Sequence, residues 1–141
     1  MSIKITKEMK DLVDRALSDK CPCILGTASL NGYPNLSYKG SVVVLSGDKI
    51  AFWERARRGG FTQLSENPNV VIMYRNAQLQ KAWRFYGEAY VHESGMIKEQ
   101  VMHMTVDAEL ERDPDRHGAA VVIKVNRITS LSGEVLQKVT S

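Results

Sequence analysis

Ile24-Leu25-Gly26-Thr27-Ala28-Ser29-Leu30-Asn31-Gly32-Tyr33-Pro34 is the stretch from which the fold is read. Its first half is short, apolar and suited to a strand. Asn31-Gly32 supplies two residues that tolerate positive φ, which a type I′ hairpin turn requires. We therefore expect a strand from Ile24 to Leu30 and a long extended return from Tyr33 to Leu45. Ser46-Gly47-Asp48 marks the next reversal, and Lys49-Ile50-Ala51-Phe52-Trp53 the strand after it. Together these segments predict a three-stranded antiparallel meander.

On the N-terminal side, Ile5, Met9, Leu12, Val13, Ala16 and Leu17 fall on one stripe at helical spacing. Thr6 is a good N-cap, Asp11 and Arg15 sit at the i,i+4 spacing of an ion pair, and Pro22 stops the helix. On the C-terminal side, Arg57 to Gly60 reads as a turn and Phe61 to Glu66 as a short helix ending at Asn67-Pro68. A strand follows from Val70 to Tyr74, then a polar turn from Asn76 to Lys81 and a strand from Ala82 to His92. Gly95 to Glu111 is expected to be helical, with Met96, Ile97, Val101, Met104 and Ala108 as its apolar stripe. Arg112 to Gly118 reads as a charged loop, Ala119 to Val125 as a buried β-branched strand, and Glu134 to Val139 as a short terminal one. Six or seven antiparallel strands with a few peripheral helices predict a mainly β fold, a small closed barrel occupying residues 1–141 as one domain.

Composition narrows the function classes. The chain has 141 residues, 43% hydrophobic and 25% charged, which suits a single globular domain. No apolar run is long enough to span a bilayer, and Met1 to Lys10 lacks a signal-peptide core, so a cytoplasmic protein is expected. A net charge of +3 is too small for a nucleic-acid footprint but compatible with a bound anion. Cys21 and Cys23, separated by Pro22, are read as free thiols. Alternate residues of an extended chain face opposite ways, and zinc would need two further ligands. His92, His103 and His117 have no metal-ligand spacing. There is no nucleophile elbow, Walker loop or dinucleotide-binding glycine motif, so any catalysis would draw on a cofactor.

Two groups of residues are candidates for binding. Ser37, Lys39 and Ser41 alternate along the second strand and so share a face; they could hydrogen-bond a polar ring edge or a phosphate chain, or form a solvent-facing strip. Trp53-Glu54-Arg55-Ala56-Arg57-Arg58-Gly59-Gly60 leaves a strand and enters a helix. Arginine suits phosphate because its planar fork makes paired, charge-assisted hydrogen bonds, and glycines with a helix N-terminus let backbone N–H groups approach an anion. The alternative is a solvated basic loop.

In order and spacing, these segments resemble the pyridoxamine 5′-phosphate oxidase-like flavoproteins, which are FMN-binding split barrels. The resemblance runs from Ile24 to about Gly87 and weakly through Ala119 to Val125. It rests on Leu25-Gly26-Thr27-Ala28, Asn31-Gly32-Tyr33-Pro34, Phe52-Trp53 and the basic turn, then Leu64-Ser65-Glu66-Asn67-Pro68-Asn69-Val70 and Arg84-Phe85-Tyr86-Gly87-Glu88-Ala89. It implies a homodimer with FMN at the subunit interface. Lys39, Gly40 and Ser41 would contact the flavin from the second strand, and Trp53 and Glu54 would border its ring or ribityl chain. Arg57, Arg58, Gly59 and Gly60 would form the phosphate loop. The chain departs from the pattern at Gly59 and Gly60, where the family commonly places a basic residue, and at Ser37, where the true oxidases have arginine. One lost charge-assisted contact costs about 1.5–3 kcal/mol, so the departure implies weakened FMN affinity or a different ligand. The resemblance thus implies an FMN-dependent oxidoreductase or electron-transfer protein, with a non-catalytic flavin-binding or anion-binding dimer as the alternative.

Overall fold

A computed structural model describes residues 2–55 and 59–140. In chain order the elements are α1 (Lys7–Asp14), β1 (Cys23–Ala28), β2 (Pro34–Lys39), β3 (Val43–Ser46), β4 (Lys49–Glu54) and α2 (Gly59–Glu66). They continue with β5 (Asn69–Asn76), β6 (Lys81–His92), α3 (Met96–Met104), α4 (Asp107–Leu110), β7 (Ala119–Thr129) and β8 (Val135–Lys138). The eight strands form one antiparallel sheet in the order β2-β1-β5-β6-β7-β4-β3, with β8 added to β7. The fold is mainly β, as the sequence predicts.

β2 and β3 occupy opposite ends of this path, yet only Gly40, Ser41 and Val42 separate them in the chain. That short crossing joins the two edges and curls the sheet into a barrel. It also corrects the meander: the expected strand from Tyr33 to Leu45 breaks at Gly40, and β2 pairs with β1 while β3 pairs with β4. A change in burial marks the break. β2 alternates between exposed and half-buried residues, whereas Val42, Val43 and Val44 are all buried.

Alternation builds the interior. Cys23 and Leu25 of β1, Val70, Ile72 and Tyr74 of β5, and Trp83, Phe85 and Ala89 of β6 point inward at every second position. Val121, Ile123 and Val125 of β7 join them. β7 is buried on its other face too, because α3 lays Val101 and Met104 over Val43, Ala51, Ala120 and Val122. α1 adds Met9, Leu12 and Val13 to the barrel interior.

Local chemistry accounts for the other differences. Thr6 Oγ1 accepts from Met9 N at 3.1 Å, so the expected N-cap forms. Asp11 pairs with Lys7 at 2.7 Å and not with Arg15, which reaches Asp19 instead. Among the described residues outside glycine, Asn31 is not at positive φ; Gly32 alone takes it in this turn, at +84°. Gly32 N donates to Ser29 O and Ser29 N to Tyr33 O, which makes a three-residue connection with one left-handed position in place of the expected type I′ turn. The expected helix from Gly95 to Glu111 divides because Thr105 is extended, with its hydroxyl donating to Val101 O. Met96 is left 89% exposed, so the expected stripe buries only Val101 fully.

Candidate functional site

The barrel closes where Lys39, at the end of β2, meets Glu54, at the end of β4. A cavity of about 270 Å³ opens at this seam. Lys39, Gly40, Ser41, Trp53 and Glu54 line it, so the structure brings five of the nominated residues into one wall. Ser37 lies two residues before Lys39, half-buried and opposite Leu25, but does not line this cavity. Arg57 and Arg58 lie outside the described residues. Gly59 and Gly60 open α2, which therefore begins two residues before the expected Phe61.

The side chains of Lys39, Ser41, Trp53 and Glu54 each have a defined partner. The Lys39 ammonium pairs with the Glu54 carboxylate, their side chains 18% and 7% exposed, and it also lies 5.5 Å from the Phe52 ring centroid. Burying such a pair gains little net stability, because desolvation offsets the attraction. Its effect is to hold a cationic donor in a fixed place in the wall. Ser41 Oγ accepts from Trp53 N and donates to Trp53 O, both at 3.0 Å. A side chain here does the work of a strand partner at the point where the ladder is interrupted.

Trp53 is fixed from a remote segment. Its Nε1–H donates to Asp113 Oδ2 at 3.0 Å, and the same carboxylate accepts from Gly118 N at 2.8 Å and His117 N at 3.0 Å. Burial works to raise the Asp113 pKa, but these hydrogen bonds outweigh it and hold the carboxyl below its ordinary value. Gly118 is required by close approach: a Cβ there would lie 2.6 Å from Glu54 O and 2.7 Å from Trp53 Nε1.

The sequence reading missed three residues here. Glu109 and Arg112 line the cavity, and Asp113 orients Trp53 from behind it. Glu109 packs so closely on Gly40 that a Cβ on Gly40 would collide with its carboxylate. One signal was available: a tryptophan at the end of a buried strand needs an acceptor for its N–H, and the 105–118 stretch is rich in acids. Among the described residues, no three His, Cys, Asp or Glu side chains group in a way that could hold a metal ion.

A second feature lies on the outside of the barrel. A shallow groove of about 350 Å³ crosses β1, β2, β5 and β6, lined by Gly26, Leu36, Val71 and Tyr86 among others. Leu30, Tyr33, Leu36 and Tyr38 nearby are all more than 70% exposed.

The pyridoxamine 5′-phosphate oxidase family model matches residues 5–131, from the start of α1 to beyond the end of β7. The chain belongs to the pyridoxamine 5′-phosphate oxidase family. The match takes in α1 and all of β7, more of the chain than the segments quoted from the sequence. Solved structures of similar fold include HupZ of Group A Streptococcus, at 24% identity and a TM-score of 0.70, covering 96% of this chain and 99% of that one. An FMN-binding protein of Syntrophomonas wolfei has 15% identity and a TM-score of 0.70, covering 89% of this chain and 87% of that one. A pyridoxamine 5′-phosphate oxidase-related, FMN-binding protein of Nostoc punctiforme has 14% identity and a TM-score of 0.63, covering 86% and 80%. No curated protein matches the chain. Among the described residues of this pyridoxamine 5′-phosphate oxidase family member, no helix is long and apolar enough to cross a membrane.

Proposed function

We propose that the protein binds FMN at the barrel seam as a cytoplasmic homodimer and acts as an oxidoreductase or electron-transfer flavoprotein. The observation that carries this reading is the one cavity uniting Lys39, Gly40, Ser41, Trp53 and Glu54, residues nominated from the strand pattern and the family resemblance together.

The residues present fit such a cofactor. Trp53 gives the cavity an aromatic wall, Lys39 a fixed ammonium donor, and Arg55 and Arg112 cationic edges. The cavity is slightly smaller than the roughly 300–1,000 Å³ of most small-molecule sites, which fits a site that a second subunit completes. The exposed Leu36 and Tyr38 beside the groove offer a surface for that second copy.

When bound, FMN supplies the redox chemistry, and the protein supplies orientation and electrostatics. Lys39, held by Glu54, would donate to a polar edge of the ring. Trp53, locked by Asp113, would border it and exclude water. Arg57 and Arg58, with the backbone of Gly59 and Gly60 at the start of α2, would receive the phosphate. A second reading, a flavin-storing or anion-sensing dimer without turnover, draws on the glycines at positions 59 and 60, which carry no charge.

The test is the absorption spectrum of freshly purified protein, followed by titration with FMN. Flavin bands or saturable quenching of FMN fluorescence support both readings, and turnover with NAD(P)H separates them. Protein that neither carries nor takes up flavin refutes the flavoprotein and flavin-storing readings and leaves the anion-binding dimer. Light scattering that shows only monomer at micromolar concentration refutes the dimer.

A further inference from the structure

Arg112 stands at the cavity from a segment that looked like a plain charged loop. Its N–H returns to Glu109 O at 3.2 Å, a tight turn that brings both side chains to the same wall as Lys39 and Arg55. The next residue, Asp113, is the most firmly tied in the segment, bound to Trp53, His117 and Gly118. The backbone carrying Arg112 is therefore held against the cavity.

The arginines of this region differ in what they do. Arg116 spends its guanidinium on the carbonyls of Leu110 and Asp113, at 2.9 and 2.7 Å. Arg15 pairs with Asp19. Among the described residues, the Arg112 and Arg55 side chains have neither an ion-pair nor a hydrogen-bond acceptor. The Lys39 charge is met by Glu54, which leaves Glu109 as the remaining carboxylate of the lining against two guanidiniums. The lining of the cavity is thus net positive, with two planar donor forks that no described residue engages.

We propose that Arg112, together with Arg55, binds the phosphate monoester of the ligand and supplies the charge missing at Gly59 and Gly60. The inference rests on the flavin reading and adds to it a residue from outside the strand-to-α2 turn. A phosphate offers several acceptor oxygens at once, which suits two guanidiniums approaching from different segments.

The experiment titrates FMN and riboflavin into the wild-type protein, Arg112→Gln and Arg112→Lys, following flavin fluorescence. Arg112 is exposed, and an unchanged melting temperature verifies that each variant is folded. Arg112→Gln is expected to weaken FMN at least tenfold and leave riboflavin within twofold, with Arg112→Lys recovering part of the loss. FMN affinity within twofold of wild type, or equal losses for both flavins, overturns the proposal. Inorganic pyrophosphate, followed by tryptophan emission, is the control that does not depend on flavin. If the wild type binds neither flavin, the flavin reading falls. In that case a pyrophosphate response lost in Arg112→Gln still upholds the anion pair, and a response unchanged in the variant or absent from the wild type overturns it.

Discussion

Replacing Asp113 with Ala should destabilise the protein by about 3 kcal/mol, and the figure follows from what the carboxylate holds. It accepts three hydrogen bonds, from Trp53 Nε1, His117 N and Gly118 N, while its residue is only 8% exposed. A hydrogen bond to a charged group contributes about 1.5–3 kcal/mol, and a buried donor left unpaired costs about 1–3 kcal/mol. His117 is exposed, so its N–H can be recovered by water; Trp53 and Gly118 are buried and have less recourse. Urea unfolding should register the loss, and the melting temperature should fall by about 10 °C. Asp113→Asn keeps one acceptor oxygen and should fall between the two. The pH dependence provides a second check. The Asp113 pKa is lowered on folding, so the unfolded chain takes up the proton first as pH falls. The contribution is complete above the unfolded pKa of about 4 and is lost as pH falls through the folded value. The stability gap between wild type and Asp113→Ala should therefore close in acid. A loss below 1 kcal/mol at neutral pH, or a gap that does not change in acid, would refute the reasoning.

Gly118→Ala should cost about 1–3 kcal/mol by overpacking, since the added methyl meets Glu54 O and the Trp53 indole; urea unfolding with near-ultraviolet circular dichroism would follow both stability and indole packing. Cys21→Ser and Cys23→Ser should each retain the wild-type flavin content, measured by absorbance. Burial pushes the Cys23 thiol up to about 12, so at pH 8 a thiol reagent should modify Cys21 well before Cys23, and equal rates would contradict this. Replacing both Arg57 and Arg58 with Ala should lower FMN affinity at least tenfold and riboflavin affinity much less, while Gly60→Lys should tighten FMN alone; fluorescence titration that finds equal losses for the two flavins in the double variant would move the phosphate elsewhere.

What the sequence disclosed was whatever depends on near neighbours. Thr6 as a cap, the strand from Val70 to Tyr74 and the strand from Ala119 to Val125, buried at every position but Lys124, all stand in the structure. Each rests on interactions within a turn or on the two-residue period of a strand. The break at Gly40 was not legible, because extended residues continue on both sides of it and only the barrel's closure requires the crossing. The turn at Asn31-Gly32 was read one residue too short for the same reason: the register of β1 on β2, not the dipeptide, decides how many residues the loop contains. Of the site, Lys39, Gly40, Ser41, Trp53 and Glu54 were nominated, since they sit in two short segments with recognisable chemistry. Glu109, Arg112 and Asp113 were not. Their segment meets Trp53 through Asp113, 60 residues away in the chain, and Gly118 packs close against the same indole.

The position of the cavity follows from the topology. A sheet that closes on itself brings two edge strands together, and edge strands carry backbone groups without a ladder partner. Three residues, 40–42, must span the seam, too few to form a strand of their own there. Ser41 meets the need of Trp53 with its side chain, and Lys39 and Glu54 meet each other. At the seam, Lys39, Ser41 and Glu54 are polar side chains held by specific partners. None of Lys39, Gly40, Ser41 or Glu54 belongs to the apolar cluster that fills the barrel. The charges of the site are therefore separable from the packing that holds the fold. The charge proposed for the ligand's phosphate enters on Arg112, from a segment outside the strands that form the seam.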